Sequence, residues 1–237
     1  MSFEQKFHEM NHHCSHRWSN AYCQAKSEDF PELNEEKTCS HYKKGEYIFK
    51  EGAKPYGVFC INYGKAKLIK MGSDGKDQII RLAKEGDIIG YRSLLSSDRY
   101  NASAIALEDC AMCFLPKEMF LQIMMKDSNL VMEMFKLLSE DLKNSDNQMT
   151  HIAQNPVRER VAEAILFVKE TYGYEADGRT ISAVISREDL ANIVGTATES
   201  AIRMLSDLNK EGVIKLVGKK IRINDLAKLK RIANIND

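Results

Sequence analysis

Residues 186–205 read S-R-E-D-L-A-N-I-V-G-T-A-T-E-S-A-I-R-M-L, and their pattern decides the fold of the C-terminal part of the chain. Ser186 followed by Asp189 is a capping-box start for a short helix, because each side chain can satisfy the other's free backbone N–H. Leu190 and Ile193 then fall on its inner face, and Ala191 is small where two helices must cross closely. Gly195 ends that helix and supplies the backbone freedom of a tight turn. Thr196 with Glu199 repeats the capping-box spacing, and Ala201, Ile202, Leu205 and Leu208 give the following helix a buried stripe. Two capped helices about a glycine turn are the pattern of a helix-turn-helix.

Working outward, Val213–Val217 and Lys220–Ile223 flank Gly218-Lys219 and predict a small hairpin, or wing. From Arg187 to Arg231 there are ten basic and six acidic residues, a local excess of four, whereas the whole chain balances 34 against 34. A winged helix-turn-helix that grips nucleic acid needs such a basic face for phosphates, together with a helix for base edges. Arg203 lies one turn beyond Glu199, so both reach one groove. An arginine bidentate to guanine and a glutamate accepting from cytosine are standard major-groove pairings. The plainer alternatives are a solvated arginine and a glutamate that only closes the cap on Thr196. Arg187, at a helix start, and Lys219, at the wing tip, suit phosphate contacts, and ordinary surface charge is the alternative for both.

Upstream, Val131, Phe135, Leu138, Leu142, Ser145, Met149 and Ile152 step alternately by four and three, a heptad seam with charged and polar residues between its members. It predicts a long dimerisation helix over 128–155, ending at Asn155-Pro156; a helix packed only on its own domain would share the pattern. Pro156 opens a third region whose first helix has a stripe at Val161, Ala164, Ile165 and Val168. Residues 41–127 hold eight of the thirteen glycines between short apolar runs, such as Tyr47-Ile48-Phe49, Val58–Ile61 and Ala111–Leu115, which predicts an antiparallel β-sandwich or barrel. Residues 1–40 are polar and rich in His and Cys. The expected division is therefore an N-terminal segment 1–40, a β domain 41–127, a helix 128–155 and a winged helix-turn-helix 156–237.

Composition narrows the function classes. At 43% apolar and 29% charged, the chain is neither disordered nor membrane-like. Net charge of zero argues against a polybasic, sequence-blind nucleic-acid coat. The longest apolar stretch, Ala164–Val168, is too short to span a bilayer, and MSFEQKFHEMNHHC lacks the apolar region of a secretory signal, so the expected compartment is cytoplasmic. Six cysteines without a signal read as thiols or ligands rather than a disulfide framework. No catalytic triad, phosphate-cradling loop or zinc-hydrolase spacing is present, so an enzyme is not expected.

The chain resembles the CRP/FNR family of transcription regulators over roughly residues 42–224. K-K-G-E-Y-I-F-K-E-G at 43–52, I-N-Y-G-K at 61–65 and Gly86-Asp87-Ile88-Ile89-Gly90 match the family's β-roll and the entry to its ligand cassette. The resemblance implies an α+β fold: an N-terminal cyclic-nucleotide-binding-like β-roll, a long dimerisation helix and a C-terminal winged helix-turn-helix. It places Glu199 and Arg203 at the family's shared base-reading positions, Thr198 where the cyclic-AMP type carries another reading arginine, and Ser186, Arg187 and Lys219 at phosphate-touching positions. The expected partners are a second copy of the chain, near-palindromic promoter DNA and RNA polymerase, with no membrane.

For the sensor, the resemblance implies a cassette around Gly90, Tyr91, Arg92, Arg99 and Tyr100 that departs from cyclic-AMP binding. Tyr91 stands where the family has its glutamate, and Asp98–Ala102 contains no Arg-Ser pair for the cyclic phosphate. Cys113 falls on the position of the lone distal cluster ligand of oxygen-sensing relatives, which makes Cys14, Cys23, Cys39 and Cys113 the candidate iron–sulfur set. His12, His13, Cys14 and His16 are a zinc alternative, and no cofactor at all, with the cysteines as packing or surface thiols, is the third. The expected function is an effector- or redox-responsive, sequence-specific DNA-binding regulator; the alternative is a β-roll interaction module acting through protein contacts.

Overall fold

The computed structural model describes residues 38–235, and the chain divides into two compact units. The first comprises residues 38–70 and 83–141, and the second residues 71–82 and 142–235, so the division falls within one long helix. Among the described residues no helix is long and apolar enough to cross a membrane.

The N-terminal half builds two four-stranded antiparallel sheets. One joins β1 (Thr38–Tyr42), β8 (Cys110–Pro116), β3 (Gly57–Tyr63) and β6 (Ile88–Ile89), in that order. The other joins β2 (Tyr47–Phe49), β7 (Ser103–Ala106), β4 (Lys65–Met71) and β5 (Asp77–Lys84). β4 alternates as a strand with one wet face does: Ala66 and Leu68 are buried while Lys65 and Lys67 are partly exposed. Between the sheets runs a chain of aromatic contacts. Phe49 stacks on Tyr100 at 4.0 Å between centroids, Phe59 lies 5.8 Å from Phe49, and Phe114 lies 5.1 Å from Phe59. Gly57 is obligatory here, since a Cβ on it would come within 2.2 Å of the Leu115 carbonyl oxygen.

On the outer face of the β1-β8-β3-β6 sheet pack α1 (Tyr91–Leu95), α2 (Lys117–Lys126) and the start of α3 (Ser128–Gln154). Val58, Cys60, Cys113 and Leu115 from the strands meet Tyr91, Leu94, Phe120, Ile123, Leu130 and Met134 from the helices in one buried cluster. Only one side of α3 takes part. Leu130 and Met134 are buried, whereas Phe135, Leu142, Met149 and Ile152 of the heptad seam are exposed.

The second unit is a helical domain with a hairpin. It contains α4 (Val157–Tyr172), α5 (Arg187–Val194), α6 (Thr198–Lys210), β9 (Ile214–Val217), β10 (Lys220–Ile223) and α7 (Leu226–Ile232). Val161, Ala164, Ile165 and Val168 of α4 are buried, as their spacing predicts. Thr180 joins the two-stranded wing through an isolated bridge to Arg222, with Ile181 N–H donating to the Ile221 carbonyl at 2.9 Å and Ile223 N–H to the Arg179 carbonyl at 2.9 Å. The hairpin pattern around Gly218 had not revealed this addition.

Candidate nucleic-acid interface

The two helices of the motif begin differently. At α5 the capping box forms in full: Asp189 N–H donates to Ser186 Oγ at 2.9 Å, and Ser186 N–H reaches Asp189 Oδ2 at 3.4 Å. Gly195 ends the helix at φ 68°, ψ 50°, and the N–H groups of Gly195 and Thr196 both donate to the Ala191 carbonyl. The second capping box does not form. The N-cap of α6 is Ala197, which has no side-chain acceptor, and Thr196 remains in the turn. Glu199 is thus one position nearer the helix start than the Thr196 pattern implied, and it is exposed. A second correction concerns Ile202, expected in the buried stripe: its side is 46% exposed, while Ala201, Leu205 and Leu208 are fully buried.

The result is a helix with one sealed face and one open face. Glu199, Ile202 and Arg203 lie on the open side and Thr198 is partly exposed at its start. Beside it, Gly218 carries φ +58° in a two-residue turn that exposes Lys219. Arg187 Nη2 donates to the Gly218 carbonyl at 3.2 Å, tying the start of α5 to the wing turn. Burial lowers the pKa of that guanidinium from its ordinary value. Ser186 Oγ is engaged with Asp189, so its contribution to the helix start is first of all structural. Glu211, at the end of α6, accepts from Arg158 Nη2 of α4 at 2.7 and 2.8 Å and lies 3.7 Å from Lys228 Nζ of α7, which fixes the far end of the helix.

The cassette residues separate into two groups. Gly90 and Tyr100 are neighbours: a Cβ on Gly90 would meet the Tyr100 ring at 3.4 Å, and the Tyr100 hydroxyl reaches the Gly57 carbonyl at 3.4 Å. Burial pushes the Tyr100 phenol up to about 12, so it stays protonated. Tyr91 and Arg92 turn instead to α3. The Tyr91 hydroxyl donates to Asp141 Oδ2, and Arg92 reaches the same oxygen through Nε at 2.9 Å and Nη2 at 2.8 Å. Arg99 Nη1 donates to the Gly52 carbonyl at 2.8 Å on the surface.

Asp141 escaped the sequence reading, yet it left a signal. Leu130, Met134, Leu137 and Asp141 step by four, three and four along the inner side of α3, so a carboxylate continues an apolar stripe. A charge at such a position calls for a partner.

Of the candidate metal ligands, Cys39 and Cys113 are brought together as cross-strand partners of β1 and β8, with sulfurs 2.7 Å apart. Cys39 is therefore a strand residue rather than part of the polar N-terminal segment. Cys14, Cys23 and the zinc alternative of His12, His13, Cys14 and His16 lie outside the described residues. Two thiolates on one tetrahedral metal, with bonds of about 2.3 Å, stand about 3.8 Å apart. The Cys39–Cys113 contact is closer than that, and among the described residues no three Cys, His, Asp or Glu side chains converge on a metal position. Among the described residues the pair therefore supplies two thiols in direct contact and no complete ligand set.

Comparison with known proteins agrees with both halves of the architecture. Residues 39–127 match a Cyclic nucleotide-binding domain, and residues 159–232 match a Crp-like helix-turn-helix domain. The chain is 31% identical over 193 residues to the Anaerobic regulatory protein of Bacillus subtilis, covering 80% of this chain and 81% of that one. The chain belongs to the CRP/FNR family. It is also 26% identical over 192 residues to the Fumarate and nitrate reduction regulatory protein of Escherichia coli, covering 81% and 76% of the two chains. FixK2 from Bradyrhizobium japonicum has the same fold, with a TM-score of 0.73 at 22% identity over 85% of this chain and 98% of that one. As a CRP/FNR member the chain carries a DNA-binding helix-turn-helix and acts in transcription regulation.

Membership makes the cassette's departure informative. A cyclic-nucleotide site needs a carboxylate for the ribose hydroxyl and an arginine for the phosphate. In this CRP/FNR chain the residue after Gly90 is a tyrosine, 1% exposed and bonded to Asp141, and Arg92 is committed to the same carboxylate. Both side chains are thus engaged within the fold, on the carboxylate of α3.

Proposed function

We propose that the chain is a homodimeric regulator that recognises near-palindromic promoter DNA through α6 and the wing. On this reading its β-roll passes an effector or redox state to α3 without taking cyclic AMP. The observation that carries the reading is the two-sided α6, fully buried at Ala201, Leu205 and Leu208 and open at Glu199 and Arg203, with exposed Lys219 on the adjoining wing. Arg203 reads a guanine and Glu199 a cytosine; Thr198 is too short for a bidentate guanine contact and leaves its flanking base pair loosely specified. Arg187 and Lys219 hold phosphates, and Ser186 sets the helix start that presents them.

The uncovered seam of α3 supports the dimer. Phe135, Leu142, Met149 and Ile152 recur at coiled-coil spacing and are exposed in the single chain, so a second copy of the same helix is the complementary surface. The Asp141 contacts of Tyr91 and Arg92 are the means by which a change at the cassette alters the packing of α3, and thereby the population of DNA-competent dimers. Relatives named for anaerobic regulation support a redox-linked input. The protein acts by binding rather than catalysis, in the cytoplasm, and promoter occupancy is relayed to RNA polymerase. Fluorescence anisotropy on promoter fragments over a range of salt concentrations tests this. Tight, sequence-dependent binding with a steep salt slope is expected; salt-insensitive or sequence-blind binding would overturn it in favour of an interaction module.

A further inference from the structure

Cys39, Cys113 and Cys60 form a row across three neighbouring strands. Cys113 of β8 is the register partner of Cys39 in β1 and of Cys60 in β3, so all three side chains share the sheet face that meets the helices. Within the row the thiols differ in access. Cys60 and Cys113 are buried, and Cys39, near the start of edge strand β1, is partly exposed. Directly opposed residues of antiparallel strands have Cβ atoms about 4.5–5.5 Å apart, close to the 3.5–4.5 Å that a disulfide spans. The sulfurs of Cys39 and Cys113 are already at 2.7 Å.

We propose that Cys39 and Cys113 are a peroxide-reactive dithiol that closes into a reversible interstrand disulfide. The accessible Cys39 thiolate attacks a hydroperoxide, its sulfur bonds to one peroxide oxygen, the O–O bond breaks, and hydroxide (water once protonated) leaves. Cys113 sulfur then displaces the hydroxyl from the Cys39 sulfenic acid as water, giving the S–S bond. In sum two thiols lose two hydrogens, one peroxide is reduced to two waters, and a dithiol reductant reverses the change. Cys110 is excluded by its own surroundings. It sits on the same strand, but its thiol donates towards the carbonyls of Lys65 and Glu108 at 3.1 Å, and burial pushes its pKa up to about 11. Cys113 belongs to the cluster that contains Tyr91, Leu130 and Met134, so the bond forms within the core that seats α3.

The test uses the full chain, reduced and then exposed to hydrogen peroxide, alkylated under denaturing conditions, digested and analysed by mass spectrometry. The expected result is a linked pair of peptides containing Cys39 and Cys113, two fewer alkylated thiols, and full recovery of both after dithiothreitol. Cys39→Ser and Cys113→Ser should each abolish the link, and Cys60→Ser should retain it. The wild-type peptide map decides the matter even if Cys113→Ser fails to fold. Links confined to other cysteines, or Cys39 and Cys113 still fully alkylated after peroxide, would overturn the proposal. So would an anaerobic preparation whose iron is lost on substituting either residue, because the pair would then be cluster ligands. None of these outcomes depends on DNA binding.

Discussion

On the proposed reading, Arg203 and Lys219 make opposite demands on DNA. Arg203→Ala should cost about 1–3 kcal/mol on the selected site and relax specificity at one base pair. Lys219→Ala should weaken every sequence alike and flatten the salt slope by about one unit, because a phosphate contact carries no base identity. Selection from a randomised half-site, combined with salt titrations, separates the two; unchanged affinity and preference in Arg203→Ala would refute the assignment of α6. Glu199→Ala removes no helix cap, since Ala197 rather than Thr196 is the N-cap, so its effect on DNA binding reads directly. Away from DNA, Asp177 accepts from the Thr180 hydroxyl at 2.6 Å and from the N–H groups of Thr180 and Arg179 at 2.8 and 3.0 Å, which holds its pKa at about 2. Its folded pKa lies below the ordinary 3.8, so its stabilising contribution is present above that value and is lost as pH falls towards 2. Asp177→Asn should remove this part of the acid sensitivity, and thermal melts between pH 4 and 2 would show it as a shallower decline than in wild type.

On the scale of elements, α3 presents two faces with separate consequences. Leu142 is 64% exposed and Met134 is 2% exposed. Leu142→Asp should therefore yield folded monomers that lose specific DNA binding, whereas Met134→Ala should cost about 2–5 kcal/mol of stability. Sedimentation and circular dichroism distinguish these outcomes, and a Leu142→Asp variant that remains dimeric would contradict the seam. The third feature of the helix is Asp141. Replacing it with alanine takes an acceptor from both Tyr91 and Arg92 and should cost about 2 kcal/mol, while Tyr91→Phe keeps the arginine pair and should cost about 1 kcal/mol. Urea unfolding of both variants checks the order. The heptad spacing was legible in the sequence because periodicity records which residues share a face. Asp141 was not, because its partners lie about fifty residues away and arrive only with the fold. The same limit applies at α6. Thr196 and Glu199 have capping-box spacing, but the Gly195 turn carries the chain one residue further before the helix begins, which leaves Thr196 outside it.

For the whole molecule, a two-fold dimer of identical α6 helices requires a near-palindromic site with half-sites about 34–36 Å apart. Inserting five base pairs between the half-sites should turn one of them to the opposite side of the duplex and abolish high-affinity binding. Inserting ten should restore much of it, and a footprint that tolerates both insertions equally would exclude the symmetric arrangement. The two halves of the architecture could be read from spacing alone, glycine-punctuated strands first and capped helices later. The bridge from Thr180 to the wing could not, because an isolated bridge leaves no run of alternating residues to read. The cysteines lay between these cases: Cys39 and Cys113 were visible as a chemical type, but only strand register places their sulfurs in contact.

The contrast between the two helix starts has a kinetic side. At α5 the capping box satisfies the amide of Asp189, whereas at α6 Ala197 offers no side-chain acceptor and the first intrahelical bond runs from Ala201 N–H to the Ala197 carbonyl. The amides of Thr198, Glu199 and Ser200 are consequently left to solvent, and they should trade hydrogen for deuterium far sooner than that of Asp189. On the proposed reading this is the turn that meets DNA, and adding DNA should slow its exchange.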